Sequence, residues 1–279
     1  MLCDLNTILK IADSRHYAAA AFNIFGYEDA RAVVDAAEAL QKPVILMTNK
    51  DAVAHMPYAV LSGICTYIAE HAGVPVCLHL DHCGTVEGCL EAMAAGYTSV
   101  MFDGSQLPFA ENVTLTRQVV EAAHAQGVSV EAEIGAVGYS DPSIPFNPKF
   151  TEPDQAADFA AQTGVDALAV AVGTVHRMEV QAADLQFGLL ERIHQAVPTP
   201  LVIHGSTGVT DEDLVKLADY GARKINLGTV LRMEFGRTLR AQFEADPKAF
   251  DRIKLFGPCM AAVQKKAEEK FRLLSSHEH

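Results

Sequence analysis

Short apolar runs rich in β-branched residues alternate along the whole chain with segments whose apolar residues recur every three or four positions. The first pattern predicts buried strands, and the second predicts helices with one face toward a core. Eight strands are predicted, at 17–23, 43–48, 75–81, 98–103, 128–134, 166–172, 200–204 and 223–227. Helical spacing is clearest at 27–40, 85–95, 115–126 and 210–220.

Alternation of strands and helices predicts a parallel sheet, because parallel neighbours need a crossover helix between them. Eight repeats within about 250 residues are typical of a closed (β/α)8 barrel, the TIM-barrel architecture of the α/β class. A doubly wound open sheet is the alternative, but the first strand-to-helix turn lacks a GxGxxG pattern. Two more helices are predicted at 231–245 and 259–274, with breaks at Asp246-Pro247 and Gly257-Pro258. Residues 1–279 are therefore predicted to form one barrel domain with extra C-terminal helices.

Composition and charge restrict the kinds of partner. The chain has 279 residues, of which 49% are hydrophobic and 20% charged, as in an ordinary globular protein. Its net charge of −13 disfavours nucleic acid. No run reaches the ~20 apolar residues of a membrane span, and no signal-peptide pattern opens the chain. We expect a cytoplasmic protein with reduced cysteines that binds a small molecule and neither nucleic acid nor a membrane.

Reactive groups of such a barrel lie at the C-terminal ends of the strands. The polar residues at these positions are Asn23, Asp81, His82, Asp103, Glu133, His176, His204 and Asn226. Three are histidines from different strands, and three protein ligands with an open fourth position are typical of catalytic zinc. One histidine alone is more often a hydrogen-bonded structural residue, and Asp81 alone could be a capping or loop carboxylate. On the fifth strand Glu131 also faces inward, and Lys224 is its candidate partner.

Two glycine-containing loops follow the last two predicted strands, at 205–208 and 226–229. Loops after strands seven and eight of a barrel commonly bind phosphate through backbone N–H groups and a helix N-terminus. The pair therefore predicts a phosphate site. The aperiodic segment 135–153 is long for a compact domain, and we expect it to lie over the barrel mouth as a functional loop.

Seven motifs occur in order along the chain: AFN (21–23), LHLDH (78–82), SVMFDGS (99–105), VEAE (130–133), GTVH (173–176), PLVIHG (200–205) and KIN (224–226). This ordered set resembles the class II, zinc-dependent ketose-bisphosphate aldolases, nearest the tagatose- and fructose-bisphosphate branch. The resemblance covers about residues 5–270. It implies reversible cleavage of a phosphorylated ketose, such as fructose or tagatose 1,6-bisphosphate, to dihydroxyacetone phosphate and an aldehyde through a metal-stabilised enediolate.

The resemblance also implies roles for individual residues. Zinc would be bound by His82, His176 and His204. Asp103 and Glu133 would lie near a second or displaced metal position, and Asp81 would be the acid and base at the C4 hydroxyl. The substrate and its phosphate would be held by Asn23, Gly205, Ser206, Thr207, Asn226, Leu227, Gly228 and Thr229. A monovalent cation, sodium or potassium, would lie nearby, in a homodimer or homotetramer.

Three stretches depart from the family pattern: residue 177, the loop at 138–142, and the loop at 205–208, where Gly-Ser-Thr-Gly stands in place of Gly-(Gly/Ala)-Ser-Gly. Arg177 stands where the family has glycine directly after the second zinc histidine, and it could bind a substrate anion or pair with Glu179 or Asp141. In the loop at 138–142, which corresponds to the mobile loop of the family, only Asp141 remains as a candidate acid. Two alternatives therefore stay open: the same chemistry on an unphosphorylated ketose or a sugar acid, and a catalytically silent binding barrel.

Overall fold

Eight parallel strands close into a barrel in a computed structural model that describes residues 1–140 and 147–278. The strands are β1 (Ala19–Asn23), β2 (Val44–Thr48), β3 (Val76–Cys83), β4 (Ser99–Phe102), β5 (Ser129–Ile134), β6 (Ala167–Val170), β7 (Leu201–Ile203) and β8 (Ala222–Leu227). They pair in chain order, and the ring closes because β1 pairs with β8 as well as with β2. The predicted (β/α)8 barrel is confirmed, and every predicted strand overlaps an observed one.

Helices surround this barrel. They are α1 (Leu5–Ser14), α2 (Tyr27–Leu40), α3 (Lys50–His55), α4 (Tyr58–Glu70), α5 (Val86–Ala94), α6 (Phe109–His124), α7 (Pro153–Thr163), α8 (Phe187–Ala196), α9 (Asp211–Lys216), α10 (Thr229–Ala245) and α11 (Arg252–Leu274), with a 3₁₀ turn at Ser206–Gly208. A two-residue strand, Leu2–Cys3, pairs with the start of β3. Within the described ranges, no helix is both long and apolar enough to cross a membrane.

The barrel interior is apolar at the N-terminal ends of the strands. There α1 buries Leu5, Ile8 and Leu9 against interior residues that include Ala19 and Cys77. A larger apolar cluster fills the layer between the strands and the outer helices. Apolar side chains therefore fill the lower barrel interior and the layer under the helices. The polar strand ends lie at the opposite, C-terminal mouth of the barrel.

The predicted break at Gly257-Pro258 is wrong, because α11 runs through it without interruption. The helix begins after Asp251, whose Oδ1 accepts hydrogen bonds from the N–H groups of Ile253 and Lys254. Pro258 removes one backbone hydrogen bond from the second turn. Burial of Val263, Phe271 and their neighbours against the rest of the protein offsets that loss.

Phe271 gives a test of how α11 is docked. Its ring packs edge-on against Phe22 of β1, with centroids 5.2 Å apart, and both rings are buried. We expect Phe271→Ala to lower the free energy of unfolding by ~3–5 kcal/mol, measured by urea denaturation, because it leaves a cavity. Phe250→Ala, at a ring that is 92% exposed, is the control and should change it by less than ~0.5 kcal/mol. Equal losses in the two variants would contradict this packing.

Candidate active site

Three histidines meet at the C-terminal mouth of the barrel. His82 Nε2 lies 2.8 Å from His204 Nδ1, and the rings of His82 and His176 are 4.9 Å apart between centroids. One ring nitrogen from each of the three lies within 4.8 Å of the others. The structure thus brings together the three side chains that the sequence singles out as metal ligands.

His176 does not end β6, contrary to the sequence-based placement. It lies farther along, in a two-residue strand, Val175–His176, that pairs in parallel with Gly138–Tyr139. The Tyr139 ring lies against the His176 ring, with centroids 4.9 Å apart. The segment after β5, predicted to be an aperiodic loop, is therefore partly paired, and it positions His176. Asp141 lies outside the described residues.

Carboxylates bind the outer nitrogens of two of these histidines. Nδ1 of His82 donates to Asp103 Oδ2 over 2.7 Å, and Nε2 of His204 donates to Glu131 Oε1 over 2.8 Å. Such bonds fix the tautomer and the ring orientation, as they do for metal-binding histidines. They leave Nε2 of His82 and Nδ1 of His204 facing the centre of the cluster.

A second group of possible ligands consists of His82, Asp103 and Glu133, whose ligand atoms also lie within 4.8 Å of one another. Glu133 Oε1 accepts a hydrogen bond from the Val137 N–H, whereas its buried Oε2 accepts none from any residue that the structure describes. Burial and then the charge of Asp103 raise the pKa of Glu133 to about 8. A nearby cation would stabilise the ionised form of a carboxyl group in such surroundings.

Charge in the cluster is unevenly distributed. Burial lowers the pKa of both His176 and His204, and the charge of His82 lowers it further, so both are neutral and able to bind a metal. Burial alone would also lower the pKa of His82, but Asp81, Asp103 and Glu133 outweigh it and raise that pKa to about 10. The acidic groups around His82 therefore favour a positive charge at this position.

Asp81 is buried beside the histidines and held by two amides. Its Oδ2 accepts from Asn23 Nδ2 over 3.0 Å and its Oδ1 from Asn226 Nδ2 over 3.2 Å. Burial alone would raise the pKa of Asp81, but the charge of His82, together with smaller contributions that include the Asn23 hydrogen bond, lowers it. Asp81 is therefore an oriented carboxylate that can accept a proton.

Lys224 forms the predicted ion pair with Glu131, with Nζ 2.9 Å from Oε2 and both side chains fully buried. Nζ of Lys224 also donates to Asn226 Oδ1 over 2.7 Å. This lysine thereby connects the carboxylate behind His204 to the amide that holds Asp81.

The two glycine-containing loops lie side by side, and Ser206 Oγ donates to the Asn226 carbonyl. Gly205 has φ +66, and a Cβ there would lie 2.8 Å from the Val175 carbonyl carbon, so only glycine fits. Residues of both loops line the cavity that also contains the histidines; they are Gly205, Ser206, Thr207, Asn226, Gly228 and Thr229. The Leu227 side chain instead faces a separate cavity, so Leu227 can offer this site only its backbone.

Arg177 lines the same cavity and has an ionic partner that the sequence did not suggest. Its Nη2 lies 3.2 Å from Oδ2 of Asp51, in the first turn of α3, rather than at Glu179. Arg177 has φ +60, in the left-handed region that glycine adopts freely and arginine rarely does. Sequence reasoning missed Asp51 and Arg232, although Asp51 follows the end of β2, where reactive groups are expected.

Comparisons with known proteins agree with this geometry. The family model for fructose-bisphosphate aldolase class-II matches residues 3–279. A fructose-bisphosphate aldolase from Geobacillus stearothermophilus is 36% identical, over 99% of this chain and 97% of its own. The crystal structure of the YdjI aldolase from Escherichia coli K12 is 34% identical, with TM-score 0.88 over 99% of this chain and 98% of that one.

A crystal structure described as a putative fructose-1,6-biphosphate aldolase, from Coccidioides immitis, has the same TM-score of 0.88 at 26% identity, over 98% of this chain and 96% of that one. The family match spans every strand and every cluster of polar residues described above. The resemblance drawn from the ordered motifs is confirmed, and the chain belongs to the class II fructose-bisphosphate aldolases, which are lyases.

Proposed function

We propose that the protein is a zinc-dependent aldolase that reversibly cleaves a phosphorylated ketose to dihydroxyacetone phosphate and an aldehyde. The meeting of three histidines with Asp81 at one barrel mouth carries this proposal. The names of the relatives point to a fructose bisphosphate, which the name of the Coccidioides immitis structure gives as the 1,6-compound. Its C4 epimer, tagatose 1,6-bisphosphate, is the second candidate.

The donor set fits zinc. Neutral imidazoles from His82, His176 and His204 would hold the ion, as in sites with three protein ligands and an open position. Asp103 and Glu133 would serve a second or displaced position, which the unsatisfied Oε2 of Glu133 supports. A bound zinc ion would supply a Lewis acid for the ketose carbonyl oxygen, in place of a Schiff-base lysine.

Asp81 would move the proton of the C4 hydroxyl. In cleavage that proton passes to the carboxylate, the C4 oxygen becomes the aldehyde carbonyl, and the C3–C4 bond breaks. The electron pair of that bond stays on the three-carbon fragment until C3 is protonated. Asn23 and Asn226 hold both oxygens of Asp81 by donating to them, so the carboxylate is oriented before substrate binds. Asp141 is our candidate for the acid that protonates C3.

The phosphate of the three-carbon fragment would bind the two loops. Backbone N–H groups of Gly205, Ser206 and Thr207, with the start of α10 at Gly228 and Thr229, favour an anion there. Asn226 and the Leu227 backbone would border the substrate, and a sodium or potassium ion near the phosphate completes the proposal. The homodimer or homotetramer, the cytoplasmic location and the single domain over 1–279 stay predictions.

The alternative substrates are an unphosphorylated ketose and a sugar acid, and Arg177 at the cavity edge favours the sugar acid, with whose carboxylate it could pair. A panel assay on zinc-loaded protein decides between the candidates. It would compare fructose and tagatose 1,6-bisphosphates, the corresponding 1-phosphates, the free ketoses and a sugar acid. We expect cleavage of phosphorylated ketoses only. Bound zinc without turnover of any compound would instead support the silent binding barrel.

The first prediction from this proposed function concerns the metal. Purified protein should contain about one zinc per chain, measured by inductively coupled plasma mass spectrometry. His204→Ala should lose both the zinc and the activity, because it removes one of three ligands. His71→Ala, at an exposed surface histidine, is the control and should keep both. Full zinc retention in His204→Ala would exclude His204 from the site.

The second prediction concerns Asp81. Asp81→Ala should keep its zinc yet lose roughly 10²-fold or more in kcat, the usual scale for removing a general acid or base. The measurement is the steady-state rate of aldehyde formation, with the zinc content of the same preparation determined in parallel. Near-normal turnover would assign the C4 proton to another group.

The third prediction concerns Arg177. Arg177→Gly should change the ranking of phosphorylated and neutral substrates in kcat/KM, because it removes a cation from the cavity edge. It should not lower the free energy of unfolding, because glycine relieves the left-handed strain of ~1–2 kcal/mol while an exposed ion pair contributes only ~0–1 kcal/mol. An unchanged ranking would remove Arg177 from the substrate site.

A further inference from the structure

Three cations border the cavity on the side of α3, and we call Lys50, Arg177 and Arg232 the basic rim. They are concentrated in a chain whose net charge is −13. One carboxylate, Asp51, lies among them, with Oδ2 3.2 Å from Nη2 of Arg177 and 3.8 Å from Nη1 of Arg232. Two guanidinium groups from distant parts of the chain therefore converge on a single oxygen.

Separate local contacts hold each member of this arrangement. Asn49 caps α3 by accepting hydrogen bonds from the N–H groups of Asp51 and Ala52, which fixes the backbone of Asp51 at the helix start. The Arg232 guanidinium lies over the Phe25 ring, 4.7 Å from its centroid. Arg177 reaches Asp51 from a left-handed backbone conformation, which costs an arginine energy that a glycine would not lose. Strain of this kind is usually kept where a side chain has a function.

Guanidinium groups bind carboxylates and phosphates in the same way, through charge-assisted hydrogen bonds. The Asp51 carboxylate thus stands where an anionic group of a bound ligand would be attracted. The proposed phosphate-binding loops follow β7 and β8, whereas Asp51 follows β2, on the other side of β1 in the ring of strands. The basic rim is therefore suited to the end of the ketose that becomes the aldehyde.

We propose that Asp51 is a specificity-determining residue, the internal counter-ion of the basic rim, and that it competes with an anionic group at the aldehyde end of the substrate. This inference rests on the proposed function. A second phosphate at that end must either approach the charge of Asp51 or displace it from the two arginines. An uncharged aldehyde end meets neither obstacle. Asp51 thereby shifts the preference of the enzyme from ketose bisphosphates toward ketose 1-phosphates.

The test is Asp51→Asn, which removes the charge and keeps the shape of the side chain. The quantity measured is kcat/KM for fructose 1,6-bisphosphate divided by kcat/KM for fructose 1-phosphate, and the same ratio for the tagatose pair. We expect the ratio to rise about three- to tenfold, a modest change because these charges are partly exposed and screened. The difference between variant and wild type should shrink as the Debye length falls from ~30 Å at 0.01 M salt to ~8 Å at 0.15 M.

The control is Glu179→Gln, which removes the same formal charge from an exposed residue that lines a different cavity. Its ratio should match that of the wild type. An unchanged or lower ratio in Asp51→Asn, or an equal rise in Glu179→Gln, overturns the role of Asp51 and leaves the proposed function standing. If zinc-loaded wild-type protein cleaves no phosphorylated ketose, the proposed function fails, and the role of Asp51 fails with it.

Discussion

The buried ion pair of Glu131 and Lys224 is the interaction on which the polar end of the barrel depends. Neither side chain has exposed surface, and a buried carboxylate without a cation costs several kcal/mol. Glu131 is nevertheless required there, because its other oxygen binds Nε2 of His204 and so turns Nδ1 toward His82. The ion pair with Lys224 offsets the cost of burying the Glu131 carboxylate, and that carboxylate in turn fixes the orientation of His204.

The same lysine extends its influence to the group that would carry the proton. Its Nζ binds Oδ1 of Asn226, which leaves the Nδ2 of that amide free to donate to Asp81. The metal-ligand candidates and the proton carrier thus share one network anchored in the barrel core. A network of this kind is held in place before substrate arrives, so little reorganisation remains for the reaction itself.

The sequence was sufficient for the barrel and for most of the cluster, since strand ends in a parallel barrel converge whatever the details of packing. It placed His176 at the end of β6, whereas a short strand pair with Tyr139 carries this residue beyond it. It also predicted a break in the last helix at Pro258. The break is absent because tertiary burial, of which local propensity takes no account, stabilises α11. The sequence also missed Asp51, whose contact with Arg177 joins residues 126 positions apart through a short helix with no strong periodicity.

Strained backbone conformations also occur at the C-terminal mouth of the barrel. Of the four residues other than glycine with positive φ in the described chain, two are His82 and Arg177. His82 is held by its bond to Asp103, and Arg177 by its ion pair with Asp51, so each strained residue has a side-chain contact that fixes the position of its side chain. The contact of His82 belongs to the histidine cluster, whereas that of Arg177 belongs to the basic rim. The strain at the barrel mouth is thus divided between the proposed metal site and the proposed site for the aldehyde end.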